Sequence, residues 1–129
     1  MTVSILVVDD ESDVADLFRQ RFRREMRQGT YTMHFATSGE EALNKVAEGI
    51  EPTLIVILSD INMPGMDGLT LLREIKARQP DLPVMVVTAY GDDERRRLAE
   101  ELGAVEFITK SVDFDLLKAQ LRELPNAAA

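Results

Sequence analysis

Runs of apolar residues recur five times along the chain, each followed by a stretch whose apolar positions return every three or four residues. The strand-like runs cover residues 4–8, 31–36, 53–58, 84–88 and 105–109. The first, third and fourth are nearly continuous in Val, Ile, Leu and Met, as suits strands covered on both faces. The second alternates Tyr31, Met33 and Phe35 with Thr32 and His34, which predicts an edge strand with one wetter face.

The intervening stretches carry helix punctuation. A first helix over residues 12–27 is predicted to bury Val14, Phe18 and Phe22. Ser38 and Glu41 make a capping box for the next, and Gly49 can close it in a left-handed cap. Asp67 can cap a helix bearing Leu69, Leu72 and Ile75, which Pro80 stops. Asp92 can cap a fourth that ends at Gly103, with a thin apolar stripe of Leu98 and Leu102 beside Arg95, Arg96 and Arg97. The last aligns Phe114, Leu117, Leu121 and Leu124 before Pro125. Strands alternating with helices require right-handed crossovers, and so a parallel sheet with helices on both faces. The predicted fold is α/β, a flavodoxin-like doubly wound sheet of five parallel strands in the order 2-1-3-4-5, with five helices.

Composition narrows the functional classes. The chain has 129 residues, enough for one domain, with 45% hydrophobic and 29% charged side chains. Its 23 acidic and 15 basic residues leave a formal charge of −8, a field that disfavours direct binding to nucleic acid or anionic membrane. The absence of Cys excludes disulfides and thiolate metal sites. Neither a signal peptide nor an apolar run of membrane-spanning length is visible, so a cytoplasmic location is expected. Residues 1–124 read as the domain, and 125–129 as a free tail or the start of a linker.

In an open parallel sheet, ligands bind beyond the carboxyl ends of the strands where the strand order reverses. Strand one finishes in Asp9-Asp10-Glu11, strand three in Ser59-Asp60, strand four in Thr88 and strand five before Lys110. Each residue alone is commonplace, as a cap, a strand terminus or a surface lysine. Together they place three carboxylates, a hydroxyl and an ammonium along one edge. Carboxylates so gathered must protonate or share a cation, and oxygen ligands suit Mg²⁺. A carboxylate nucleophile, a hard metal, an ammonium and a hydroxyl are what phosphoryl transfer requires.

The stretches Ile5-Leu6-Val7-Val8-Asp9-Asp10-Glu11, Ser59-Asp60-Ile61-Asn62-Met63-Pro64-Gly65-Met66-Asp67-Gly68, Val87-Thr88-Ala89-Tyr90 and Phe107-Ile108-Thr109-Lys110 resemble bacterial response-regulator receiver domains over nearly the whole chain. The resemblance implies that Asp60 is the phosphoacceptor and Asp10 a direct Mg²⁺ ligand supported by Asp9. Asn62 would supply a backbone carbonyl to the metal, and Thr88 and Lys110 would contact the phosphoryl group. Phe107 would be a switch aromatic together with Thr88, although ordinary packing accounts for it equally well. The donor would be a phosphohistidine on a sensor histidine kinase or phosphotransfer protein. The output would be an effector domain or partner protein, and activation could bring homodimerisation. On this reading the domain is not an enzyme, but a phosphoacceptor that promotes its own phosphorylation and dephosphorylation.

The resemblance also directs attention to helix one, on which the family partly docks its kinase. Arg19, Arg21, Arg23, Arg24 and Arg27 there could steer a partner or form a solvated face. The moving part is expected between Tyr90 and Phe107, where few buried contacts imply a low opening energy. Pro64-Gly65 suits the centre of a type II turn over the site. His34, on the edge strand, reads as a surface or half-buried residue and not as a phosphate carrier. Where the family usually has Pro after its lysine, this chain has Ser111. A cis bond costs about 2.5–4 kcal/mol before a non-proline residue against roughly 0.5–1 before Pro, so a trans Lys110–Ser111 bond is predicted.

Three other readings fit less well. An Asp-nucleophile phosphohydrolase of the haloacid-dehalogenase kind would need an Asp-x-Asp pattern after strand one, and cap insertions. A flavodoxin would need a phosphate loop where Asp9, Asp10 and Glu11 stand. A receiver-like scaffold without a switch would not need the full set of acids with Thr88 and Lys110.

Overall fold

The computed structural model describes residues 2–88 and 92–124. Tyr90, at the start of the segment expected to move, and residues 125–129 lie outside them. The elements run β1 (Val3–Val8), α1 (Ser12–Arg21), α2 (Arg23–Arg27), β2 (Tyr31–Ala36), α3 (Gly39–Glu48), β3 (Leu54–Asp60), α4 (Gly68–Arg78), β4 (Val84–Thr88), α5 (Asp93–Glu101), β5 (Glu106–Thr109) and α6 (Phe114–Arg122). The five strands form one parallel sheet in the order β2-β1-β3-β4-β5, as the periodicity and class predict.

The nearly continuous apolar runs have a direct structural cause. In β1, Val3, Ile5 and Val7 enter a core with Phe18, Phe22, Phe114, Leu117 and Leu121 of the α1 and α6 side. Leu6 and Val8 enter a second core with Ala42, Leu71, Leu72, Ile75 and Ala99 of α3, α4 and α5. Side chains on a strand alternate between faces, so a strand covered on both faces is apolar at nearly every position, Ser4 being the buried exception in β1. β2 is an edge strand whose Thr32, His34 and Phe35 are only half-buried. Phe35 lies beneath the Arg19 guanidinium, 4.2 Å from its ring centre, and His34 Nε2 is 3.3 Å from Ser4 Oγ.

Several expectations require correction. The described residues contain six helices, not five, because the segment 12–27 divides at Phe22, whose φ −101° and ψ 11° leave the helical region. The ladder itself continues, Phe22 N–H donating to the Phe18 carbonyl and Met26 N–H to that of Phe22, both at 2.9 Å. Phe22 is wholly buried against Tyr31 and Phe114, and this packing bends the chain between exposed Arg21 and Arg23. Val14 is only half-buried. The Asp92 side chain does not cap α5; its carboxylate lies 3.9 Å from Arg95 Nε on the same helix. Leu98 does not line a buried stripe, being 38% exposed, and the buried residue of α5 is Ala99. Gly49 has a positive φ of 94° but an extended ψ of 132°, so it ends α3 without a left-handed helical cap.

The other caps form as the sequence predicts. Ser38 Oγ accepts from Glu41 N–H at 3.1 Å, and the Glu41 carboxylate reaches back to Thr37 N–H at 3.0 Å. Asp67 Oδ1 accepts from Thr70 N–H at 2.8 Å. No helix among the described residues is long and apolar enough to cross a membrane.

Candidate functional site: an acidic cluster at the carboxyl edge of the sheet

The sheet register brings the polar strand ends together. Val8 of β1 pairs with Ser59 of β3, Asp60 with Val87 of β4, and Thr88 with Thr109 of β5. Backbone bonds extend the ladder one step further. Asp9 N–H donates to the Ala36 carbonyl at 3.1 Å, Ile61 N–H to Val87 at 3.1 Å and Lys110 N–H to Thr88 at 3.0 Å. Asp9, Asp60, Thr88 and Lys110 are thereby held by the main-chain ladder and its extension.

Asp60 is 3% exposed and lies at the centre. Its Oδ1 accepts from the backbone N–H of Asn62 at 3.1 Å, and its Oδ2 accepts from Lys110 Nζ at 3.3 Å. Asp9, also buried, accepts from Glu11 N–H at 2.9 Å. Carboxylate oxygens of Asp9, Asp10 and Asp60 all lie within 4.8 Å of one another, with Asp10 exposed to solvent. Beneath them a cavity of about 420 Å³ runs between α1 and the β5–α6 connection, lined by Val14, Leu17, Phe18, Val112 and Phe114.

The electrostatics follow from this crowding. Burial raises the Asp9 carboxyl above its ordinary value, and the charges on Asp60 and Asp10 add to the rise against the Glu11 N–H and Lys110. Burial works against the charged Lys110 ammonium, but Asp60, by charge and hydrogen bond, outweighs it and holds the lysine protonated above its usual value. An all-oxygen cluster with one solvent-facing carboxylate fits a hard divalent cation, which would relieve the repulsion that adds to the effect of burial on Asp9.

Thr88 is buried at the end of β4. Phe107 is half-buried on β5, packed against the core on the α3–α5 side, with the Arg96 guanidinium 5.0 Å from its ring centre. Gly65 has a φ of 74°, the conformation that the third position of a type II turn requires. Of the helix-one arginines, Arg21, Arg23, Arg24 and Arg27 border a groove of about 420 Å³ with Lys118. Arg19 instead pairs with Asp16 at 3.1 Å.

The Lys110–Ser111 bond is cis, not trans as predicted from its local cost. Two tertiary contacts fix Lys110 just before this bond, its N–H on Thr88 and its ammonium on Asp60. A local estimate contains neither contact.

Two further residues escape a reading by strand ends. A Cβ on Gly68 would stand 2.3 Å from the Asp60 carbonyl oxygen and 2.6 Å from Ile61 Cα, so α4 can begin there only without a side chain. Gly68 N–H donates to the Ile61 carbonyl at 2.9 Å, which closes the loop over the site. Arg95, expected to be solvated in part, donates from a guanidinium nitrogen to the Asn62 side-chain carbonyl.

The model of the response regulator receiver domain family matches residues 5–122. The chain belongs to this family. Such a domain is a phosphorylation-dependent signalling switch of bacterial two-component systems, and the acidic cluster found here accords with that role. The transcriptional regulatory protein ZraR of Escherichia coli K12 is 36% identical over 121 residues, which are 94% of this chain and 26% of ZraR. The DNA-binding transcriptional regulator NtrC of the same strain is 39% identical over 111 residues, 86% of this chain and 22% of NtrC. The receiver thus spans about a quarter of the length of these curated relatives. Response regulator protein TrrA from Thermotoga maritima, solved in complex with Mg(2+)-BeF, superposes with a TM-score of 0.75 at 34% identity, covering 92% of this chain and 96% of that one.

Proposed function

We propose that Asp60 is the phosphoacceptor of this receiver and that Asp10, Asp60 and the Asn62 backbone carbonyl hold Mg²⁺, with Asp9 in support. The reading rests on one observation. The Asp60 carboxylate is buried with Lys110 on one oxygen and the Asn62 N–H on the other, while Asp9 and Asp10 converge on the same few ångströms. The complex of TrrA with Mg(2+)-BeF lends support from a relative.

In the reaction an Asp60 carboxylate oxygen forms a bond to phosphorus as the phosphorus–nitrogen bond of a phosphohistidine breaks. The leaving electron pair stays on the imidazole. Bound Mg²⁺ supplies charge neutralisation for the carboxylates and the phosphoryl oxygens. Lys110 offsets charge on the transferred group, and the buried Thr88 hydroxyl supplies a hydrogen-bond donor at the end of the neighbouring strand. Lys110 faces the nucleophilic carboxylate of Asp60, and burial restricts water there, so the acyl phosphate persists as a signal. The chain then acts as a switch that catalyses its own modification, without turnover of an external substrate. Thr88 and Phe107 carry the state to the surface.

The donor is a sensor histidine kinase or phosphotransfer protein in the cytoplasm. The output is an effector domain or partner protein engaged by residues 1–124, the receiver unit. Acetyl phosphate is expected to add one phosphoryl mass to the wild type with Mg²⁺ and none without it, by intact-mass spectrometry. Equal labelling of Asp60→Asn would overturn the assignment.

A further inference from the structure

Three consecutive arginines on α5 have three different environments. Arg97 is exposed, Arg96 packs over the Phe107 ring at 5.0 Å, and Arg95 donates to the Asn62 side chain. Asn62 in turn donates its backbone N–H to Asp60 Oδ1 at 3.1 Å. A single residue therefore connects the proposed phosphoacceptor to a helix that follows three elements later.

The contact matters because α5 has little else to hold it. Its buried side chain is Ala99, and Leu98 faces solvent. Leu102, just beyond its last turn, is half-buried. The first half of α5 is thus fastened chiefly by polar groups, with Asp92 3.9 Å from Arg95 Nε as the second anchor of that guanidinium. A hydrogen bond from a cation to a neutral amide is weaker than one to an anion. A phosphoryl group on Asp60 introduces a multiply charged anion beside Asn62, and it offers Arg95 stronger acceptors within the reach of a long, pivoting side chain.

We propose that Arg95 is a positioning residue of the phosphoryl site. Through Asn62, and then through the phosphoryl oxygens, it draws the start of α5 towards Asp60 when the aspartate is modified. This rests on the assignment of Asp60 as phosphoacceptor, from which the test separates it. The helix is biased by a differential interaction between two states, as any ligand-driven shift requires.

Hydrogen exchange of α5 amides is compared with and without beryllofluoride and Mg²⁺, in the wild type and in Arg95→Ala, Arg95→Lys and Arg97→Ala. Acetyl phosphate labelling of each is followed by intact mass. In the wild type the adduct should slow exchange in the first turns of α5. Arg95→Ala should lose that slowing, Arg95→Lys should recover part of it, and Arg97→Ala should match the wild type. An adduct-dependent slowing in Arg95→Ala as large as in the wild type would overturn the proposal, as would its loss in Arg97→Ala as well. Absence of labelling in every variant, wild type included, would instead refute the phosphoacceptor reading on which it rests.

Discussion

Gly68 shows how a single missing side chain shapes the site. The positions a Cβ would touch are backbone atoms of Asp60 and Ile61, which cannot swing aside as a side-chain tip could. Ala at this position must push α4 away from the end of β3, a form of overpacking that costs roughly 1–3 kcal/mol. Gly68→Ala is therefore expected to lower the urea midpoint and also to slow acetyl phosphate labelling of Asp60. A variant as stable and as readily labelled as the wild type would show that the loop adapts. The sequence displays Gly68 within the family-like stretch, but nothing local distinguishes its tight approach from the ordinary freedom of a loop glycine.

Among the elements, α1, α2 and α6 are joined by one lysine. Lys118 Nζ lies 2.8 Å from the Arg21 carbonyl, 3.0 Å from Glu25 Oε2 and 3.2 Å from Oε1, and 5.1 Å from the centre of the Phe22 ring. It thus bridges the bend at Phe22, where α1 gives way to α2. Burial pushes the Glu25 carboxyl upward, but the hydrogen bond and charge of Lys118 more than reverse this, and the net shift is below the ordinary value of 4.5. A depressed carboxyl contributes stability above its unfolded value, and that contribution disappears as pH falls through the folded value. Glu25→Gln is expected to cost about 1 kcal/mol at neutral pH. The gap from the wild type should close as the pH falls below 4.5. Urea melts of both proteins across that range provide the check, and a gap that stays constant into acid would contradict the role given to the pair.

On the scale of the whole molecule, the sheet concentrates negative charge at one edge, and a formal charge of −8 does nothing to relieve it. The metal-free fold therefore carries a repulsion among these carboxylates. Asp10→Asn should stabilise the metal-free protein by about 1 kcal/mol, since it removes one of three crowded charges at an exposed position. The order should reverse with metal. Mg²⁺ at a hundredfold excess over its Kd stabilises a one-site protein by about 2.7 kcal/mol, and a variant that binds it weakly gains less. Thermal melts in EDTA and in Mg²⁺ measure both effects. Equal Mg²⁺ stabilisation of the two proteins would remove Asp10 from the metal site.

Local and periodic features of the chain already determined the class and which polar residues gather at the candidate site. The apolar runs of β1, β3 and β4 encode burial on two faces, the alternation in β2 encodes an edge, and strand ends place Asp9, Asp10, Asp60, Thr88 and Lys110 on one side of any sheet with this order. Each of these depends on the repeat of a strand or a helix, which a sequence carries on its surface. Tertiary structure alone decided what depends on neighbours remote in the chain. The burial of Phe22 divides a continuous helical pattern. The absence of a facing core leaves Leu98 in solvent. Thr88 and Asp60 both hold Lys110, the residue that precedes a bond whose local preference is the opposite. Arg95 meets Asn62 across 33 residues of chain, and no periodicity records a contact between side chains so far apart in sequence.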